Sequence, residues 1–309
     1  MIDVKRLEQN ISKLSARRVF LQAPEGLKTQ IQDICRKLEE NGIEVFASVE
    51  PCYGACDIRD HEAKMLGCDL LVHIGHTDFG LKTELPTIYE EYRIDAEILP
   101  VLKENLKLLN GKKIGIAATL QYISSLNAAR DFLRSRGKTV FLGKPVTAEY
   151  PGQVLGCDYS SPKSIESRVD SFLFIGSGRF HALEFTMRTQ KPVFFLDVEK
   201  RTLNEISGER ERLQRIRFAQ FEKAKECRRF VVFVSTKPGQ MFPGKALKAK
   251  QQLEKNGKEA CIIAASELSP EKLLGMKIDC IVNCACPRLR DDFRQFKMPI
   301  INSEDVEKL

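Results

Sequence analysis

Apolar and polar positions along this chain fall into blocks of two kinds. Short apolar runs, RRVFLQAP (17–24), KKIGIAAT (112–119) and RRFVVFVST (228–236), read as buried β-strands. A longer stretch with helical spacing follows each; in the first, Leu27, Ile31, Ile34 and Leu38 fall on one face. Each helix is predicted to stop at a glycine, Gly42, Gly137 or Gly257, because glycine accepts the left-handed backbone just past a helix end. A second strand comes directly after it. A third apolar run closes each unit: CDLLVHIG (68–75), SFLFIGSG (171–178) and CIVNCAC (280–286). Further short strands are predicted at PTIYEEY, PVFFLDV and PIINSEDV.

Strands alternating with helices imply parallel sheets joined by right-handed crossovers. The threefold recurrence predicts an α/β protein of three similar small parallel-sheet domains, at 1–105, 106–205 and 206–309, arranged around a central site. The charged segment at about 199–226 reads as a helical link into the third. Parallel sheets bind ligands outside the carboxyl ends of their strands. The sequences expected there are APEG, ATLQY and STKPGQ after first strands, and GHTDFG, GSGRFHALE and the ACPR run after third strands.

Composition narrows the class. The chain has 309 residues, 43% hydrophobic and 29% charged, as soluble globular proteins do. It holds no apolar run of about 18 residues, so no membrane span is expected. The N-terminal MIDVKRLEQNISKL is charged and helix-like, without a signal core, which predicts a cytoplasmic protein. The net charge is +7, yet Lys and Arg are interspersed with Glu and Asp along helices and form no aromatic-interleaved stripe. Direct nucleic-acid binding is therefore not expected.

The 10 cysteines of a cytoplasmic chain are not read as a disulfide set. Cys35, Cys261 and Cys280 lie in helical or apolar runs and read as core residues. Cys52 and Cys56 form C-x3-C without a partner pair, which does not fit a zinc ribbon. Cys56 and Cys157 both follow the second strand of a repeat, precede an Asp and lie among Gly and polar residues; Cys286 precedes Pro287, which ends a strand. Spacing alone leaves two readings open: a shared site of three thiolates, or unconnected buried thiols.

Taken together, YGACDIRD with Cys56, GHTDFG, LGCDYS with Cys157, GSGRFHALE, VSTKPGQ and ACPRLRDD with Cys286 resemble the diphthamide synthesis radical enzymes, in order and over nearly the whole chain. The resemblance implies that Cys56, Cys157 and Cys286, one per domain, hold a [4Fe–4S] cluster. One iron is then left for S-adenosylmethionine. It further implies cleavage at the methionine Cγ, and transfer of a 3-amino-3-carboxypropyl group to a histidine of translation elongation factor 2. An electron donor and a homodimer are implied with it. Cys286 is preferred to Cys284 on the family's ACPR context.

Other residues enter as candidate contacts to S-adenosylmethionine. Ser235, Lys237 and Gln240 lie in STKPGQ, and Arg288 offers a planar fork for a carboxylate. Gly178 and His181 lie in GSGRFH, and His76 at a strand end. The bland alternatives are a solvated Lys237, an Arg288 in a surface ion pair, and structural histidines. Asp57 and Asp158 are expected beside the site or at helix starts. Three rival readings are an iron–sulfur dehydratase resembling quinolinate synthase, a non-catalytic cluster-binding partner, and a zinc-binding structural protein.

Overall fold

A computed structural model describes residues 2–309, as two compact units, Met1–Glu209 and Arg210–Leu309. The first unit holds two sheets. One comprises β1 (Arg18–Gln22), β2 (Glu44–Ala47), β3 (Leu70–Ile74) and β4 (Thr87–Glu90). The other comprises β5 (Lys113–Ala118), β6 (Thr139–Phe141), β7 (Ser171–Gly176), β8 (Val193–Asp197) and β9 (Thr202–Glu205). The second unit holds β10 (Arg229–Ser235), β11 (Glu259–Ala265), β12 (Cys280–Asn283) and β13 (Ile300–Asn302). Strand orders are β2-β1-β3-β4, β6-β5-β7-β8-β9 and β11-β10-β12-β13, so the repeat expected from sequence is one topology used three times.

The main helices are α1 (Val4–Lys13), α2 (Lys28–Glu39), α3 (Asp60–Met65), α4 (Leu99–Asn105), α5 (Ser125–Ser135), α6 (Ser160–Lys163), α7 (Arg179–Arg188), α8 (Glu209–Glu226), α9 (Pro243–Lys255) and α10 (Phe293–Phe296). α2 buries Ile31, Ile34 and Leu38 on one stripe. Gly42, Gly137 and Gly257 follow α2, α5 and α9 with φ of 80°, 79° and 73°, the left-handed turn that releases the chain into the next strand. Helices cover both faces of the strands, which is why the strands read as continuous apolar runs. In β1, Val19 and Leu21 pack with α1 and α2 residues, while Phe20 faces a second cluster with Ala55, Ile58 and Leu71.

A carboxylate pins the start of each sheet. Asp69 accepts the backbone N–H groups of Arg17 and Arg18, Asp170 those of Lys112 and Lys113, and Asp279 those of Arg228 and Arg229. Each Asp stands just before or at the head of the third strand, so one side chain registers the first and third strands of its sheet.

One expectation needs correction. The segment predicted as a helical link from about 199 begins instead with β9, which pairs antiparallel with β8. Its TLNE sequence buries only Leu203 and exposes Thr202, Asn204 and Glu205. A one-sided edge strand of this kind, set among charges, lacks the apolar run that marked the others. The helix itself, α8, starts at Glu209. The other pairings are parallel.

Candidate functional site

In each sheet the chain runs from the first strand outward to the second, then back to the third on the other side. The crevice between first and third strands at their carboxyl ends is therefore a topological switch point. A cysteine-bearing loop is tied to that end in all three sheets.

In the first sheet, Gln22 ends β1 opposite His73 of β3 and is 1% exposed. Its Nε2 donates to the Asp57 carbonyl at 2.6 Å, and its Oε1 accepts the Arg59 N–H at 3.0 Å. The Asp57 N–H in turn donates to the Gly54 carbonyl at 3.0 Å, closing a tight turn around Cys56. Cys56 is partly exposed, whereas Cys52 lies buried against Gln22, whose Nε2 is 3.2 Å from its Sγ. Burial raises the Cys52 thiol to a pKa of about 11.

In the second sheet the loop before Cys157 docks on the end of β5: the Val154 N–H donates to the Ala118 carbonyl at 2.9 Å. Asp158 then holds the loop from within, as its carboxylate accepts the N–H groups of Ser160 at 2.8 Å and Thr147 at 3.0 Å. Burial alone would raise its pKa; the hydrogen bonds from Ser160, Thr147 and Ala148 outweigh it and the net shift is downward. Asp158 is thus a loop-fixing residue ahead of α6. Cys157 itself is exposed. Gly178, with φ 66°, opens α7, and His181 lies in its first turn with its carbonyl held by the Tyr159 hydroxyl at 3.0 Å. His181 is near enough to His76 that, after burial, its charge helps push the His76 imidazole down to about 4.

In the third sheet Asn283 ends β12, and its Nδ2 donates to the Cys286 carbonyl at 2.8 Å and to Asn302 Oδ1 at 2.9 Å. Cys284 is 2% exposed and belongs to the apolar cluster with Cys280 and Val282; Cys286 lies past the strand and is partly exposed. Burial raises the Cys286 thiol, and Arg288 and Lys237 pull it back toward the thiolate. Three candidate residues therefore gather here: Cys286, Arg288 and Lys237. Lys237 is not solvated but 5% exposed, and its backbone N–H is fixed by Ser235 Oγ at 3.1 Å. Gln240 follows in a short turn, its N–H donating to the Lys237 carbonyl at 2.9 Å. The Arg288 side chain is 10% exposed and pairs with Asp291 at 3.4 Å, so it is not a surface ion pair.

Cys56, Cys157, Gly178 and His181 lie in the first unit; Ser235, Lys237, Gln240, Cys286 and Arg288 lie in the second. Reading the sequence missed Gln22, Asn283 and Asn302, the amides that aim the cysteine loops. Their one visible signal is a polar residue at the end of an apolar strand. Within their own units, Cys56, Cys157 and Cys286 stand in loops at strand ends and are not buried, while Cys52, Cys68, Cys280 and Cys284 are buried; unburied thiols of this kind are the type that iron–sulfur clusters take as ligands.

These features define an α/β protein built from a repeated parallel sheet with thiol-bearing loops at its switch points. Residues 23–309 match the family "Putative diphthamide synthesis protein", and the chain belongs to that family. It is 38% identical over 305 residues to the 2-(3-amino-3-carboxypropyl)histidine synthase of Pyrococcus horikoshii, covering 97% of this chain and 88% of that one. Identity to the Methanocaldococcus jannaschii protein of the same name is 29% over 330 residues, covering 99% and 88%. The crystal structure of Dph2 from Pyrococcus horikoshii with a 4Fe-4S cluster superposes with a TM-score of 0.92 at 38% identity, covering 100% of this chain and 90% of that one. Among the described residues, no helix is long and apolar enough to cross a membrane.

Proposed function

We propose that this protein transfers the 3-amino-3-carboxypropyl group of S-adenosylmethionine to a histidine of translation elongation factor 2, the first step of diphthamide formation. The observation that carries the reading is that Cys56, Cys157 and Cys286 each stand in a loop tied to the carboxyl end of its own sheet, in a chain of this family. In this reading those three thiolates hold a [4Fe–4S] cluster. When bound, the cluster supplies an electron to the sulfonium, whose bond to the methionine Cγ breaks to give methylthioadenosine and the group to be transferred.

The protein's own part is orientation. Arg288, braced by Asp291, offers its fork to the methionine carboxylate, and the buried Lys237 adds a second cation. Ser235 and Gln240 fix the turn that carries Lys237. Gly178 and His181, at the start of α7, serve the nucleoside end. An electron donor completes the cycle, and the chain works as a cytoplasmic homodimer.

The test is an anaerobic reaction of reconstituted protein with dithionite and carboxyl-labelled S-adenosylmethionine, with and without archaeal elongation factor 2. Methylthioadenosine and label on the factor are expected, both lost in Cys56→Ala, Cys157→Ala and Cys286→Ala. Deoxyadenosine as product would overturn the bond assignment. An intact cluster with no cleavage would overturn the transfer reading.

A further inference from the structure

Beside the Cys56 loop lies a second group of metal-binding side chains that the transfer reading does not use. Cys52, His73 and His76 each bring one ligand atom within 4.8 Å of the others. His73 Nε2 and His76 Nδ1 are 3.0 Å apart, and the two rings are tilted by 34° with centroids 5.1 Å apart. For comparison, two nitrogens and a sulfur on one tetrahedral zinc stand about 3.3–3.6 Å from one another, given bonds of about 2.0 and 2.3 Å. The pair already has nearly that separation. The thiol lies within 4.8 Å of both nitrogens.

Two further observations point to an ion rather than to ordinary core packing. His73 is fully buried, and its Nδ1 has no hydrogen-bond partner. Nothing donates to Nδ1, so Nδ1 can carry the ring proton and leave Nε2, the nitrogen that faces His76, as the ligand atom. The donor set is also selective. One thiol and two imidazoles are what zinc accepts, while calcium and magnesium demand oxygen. Burial holds both rings in the neutral form, the form that coordinates.

We propose that Cys52, His73 and His76 form a zinc site, with three protein ligands and one open position, separate from the cluster cysteines. On binding, the Cys52 thiol gives up its proton to solvent and the sulfur bonds to the ion as thiolate. The ion then ties the segment that carries Cys56, four residues on, to β3 and the turn after it. Gln22 already holds the same segment to the neighbouring β1 through Cys52 Sγ and the Asp57 carbonyl.

The test uses the full chain with Cys56, Cys157 and Cys286 all changed to Ser, so that no cluster can assemble. The result is thereby independent of the transfer reading. Anaerobic titration with Co2+ is expected to give one equivalent of tetrahedral cobalt with a thiolate charge-transfer band, displaced by Zn2+, together with a rise in melting temperature. Cys52→Ala and His76→Gln in that background should abolish the band; His61→Gln, at an exposed histidine, should keep it. Circular dichroism establishes that the variants fold, and His76→Gln decides if Cys52→Ala does not. Absence of tetrahedral cobalt in the parent, or a band that survives His76→Gln, would overturn the proposal.

Discussion

Asn283 Nδ2 donates to the carbonyl of Cys286 at 2.8 Å, so the last residue of β12 sets where the following thiol points. The same side chain accepts the Ala285 N–H at 3.0 Å and donates to Asn302 at 2.9 Å. Asn283→Ala would leave these buried groups unmatched, at a cost of about 2–3 kcal/mol. Anaerobic urea denaturation should record that loss, and a chelator should strip iron from the reconstituted variant several times faster. Unchanged iron release would separate Asn283 from the cluster.

Cys284 and Cys286 are two residues apart, yet they occupy different environments. Cys284 is buried among Cys280, Val282 and Ala249, and burial holds its thiol at a pKa of about 11. Burial raises the Cys286 thiol too, but Arg288 and Lys237 stand beside it and oppose that rise. Cys284→Ala should retain the full iron and sulfide content after reconstitution, with a stability loss of about 1 kcal/mol from the small cavity. Cys286→Ala should lose most of the cluster's absorbance. The reverse pattern would mean that the resemblance placed the ligand wrongly.

Arg288 forms an ion pair with Asp291, its Nε 3.4 Å from the carboxylate, and Asp291 also pairs with the Arg217 guanidinium at 3.2 Å. A lysine at 288 keeps the charge but not the planar fork. Arg288→Lys should raise KM for S-adenosylmethionine about tenfold or more, the loss of one charge-assisted bond, with cluster content unchanged. Steady-state methylthioadenosine formation measures it. An unaltered KM would remove Arg288 from the carboxylate.

The strands were legible because both faces of each sheet are covered, which turns a strand into an uninterrupted apolar run such as Phe230–Val234. Edge strand β9 was not, since one buried Leu203 among charges carries no such signal. The Cys56 and Cys157 loops were visible as polar, Gly-containing breaks, and the Cys286 loop by the proline that ends its strand. The residues that aim them were not. Gln22 and Asn283 look like ordinary polar residues at strand ends, and their roles come from partners 35 and 3 positions away. The approach of Cys52 to His73 and His76 depends on tertiary packing, and its spacing matches no metal motif.

Asp279 stands at the head of the third sheet, where it accepts from Arg229 through both backbone and guanidinium. These bonds depress its pKa below the ordinary value of 3.8. The folded state therefore holds the proton less tightly than the unfolded chain. The stabilisation is complete above about pH 4 and is lost as pH falls through the depressed value. Asp279→Asn should lower the melting temperature at pH 7, and the gap to the parent should shrink steadily as the pH is taken below 4. A gap independent of pH would mean that the carboxylate's charge is not what matters.

Gly143 packs against the backbone that follows Cys157. The Gly152 N–H and the Ser161 hydroxyl both donate to its carbonyl, at 2.9 and 2.8 Å, so the segment is clasped from two sides. A Cβ added there would fall 1.6 Å from the Ser161 carbonyl oxygen and 2.7 Å from Ser164 Oγ. The obstacle is backbone, which no rotamer change relieves, so Gly143→Ala must push the start of α6 away from β6. The cost should reach about 3 kcal/mol, the upper range for overpacking, and should fall on the loop that Asp158 organises. Gly244→Ala, on α9 with open space around it, serves as the opposite case and should stabilise slightly, by about 0.5–1 kcal/mol, because alanine favours a helix over glycine. Thermal denaturation of both variants, with iron content after reconstitution, reads the difference: Gly143→Ala should lose melting temperature and cluster together, while Gly244→Ala keeps both. A Gly143→Ala protein with parental stability would show that the second-sheet cysteine loop is not clasped as described.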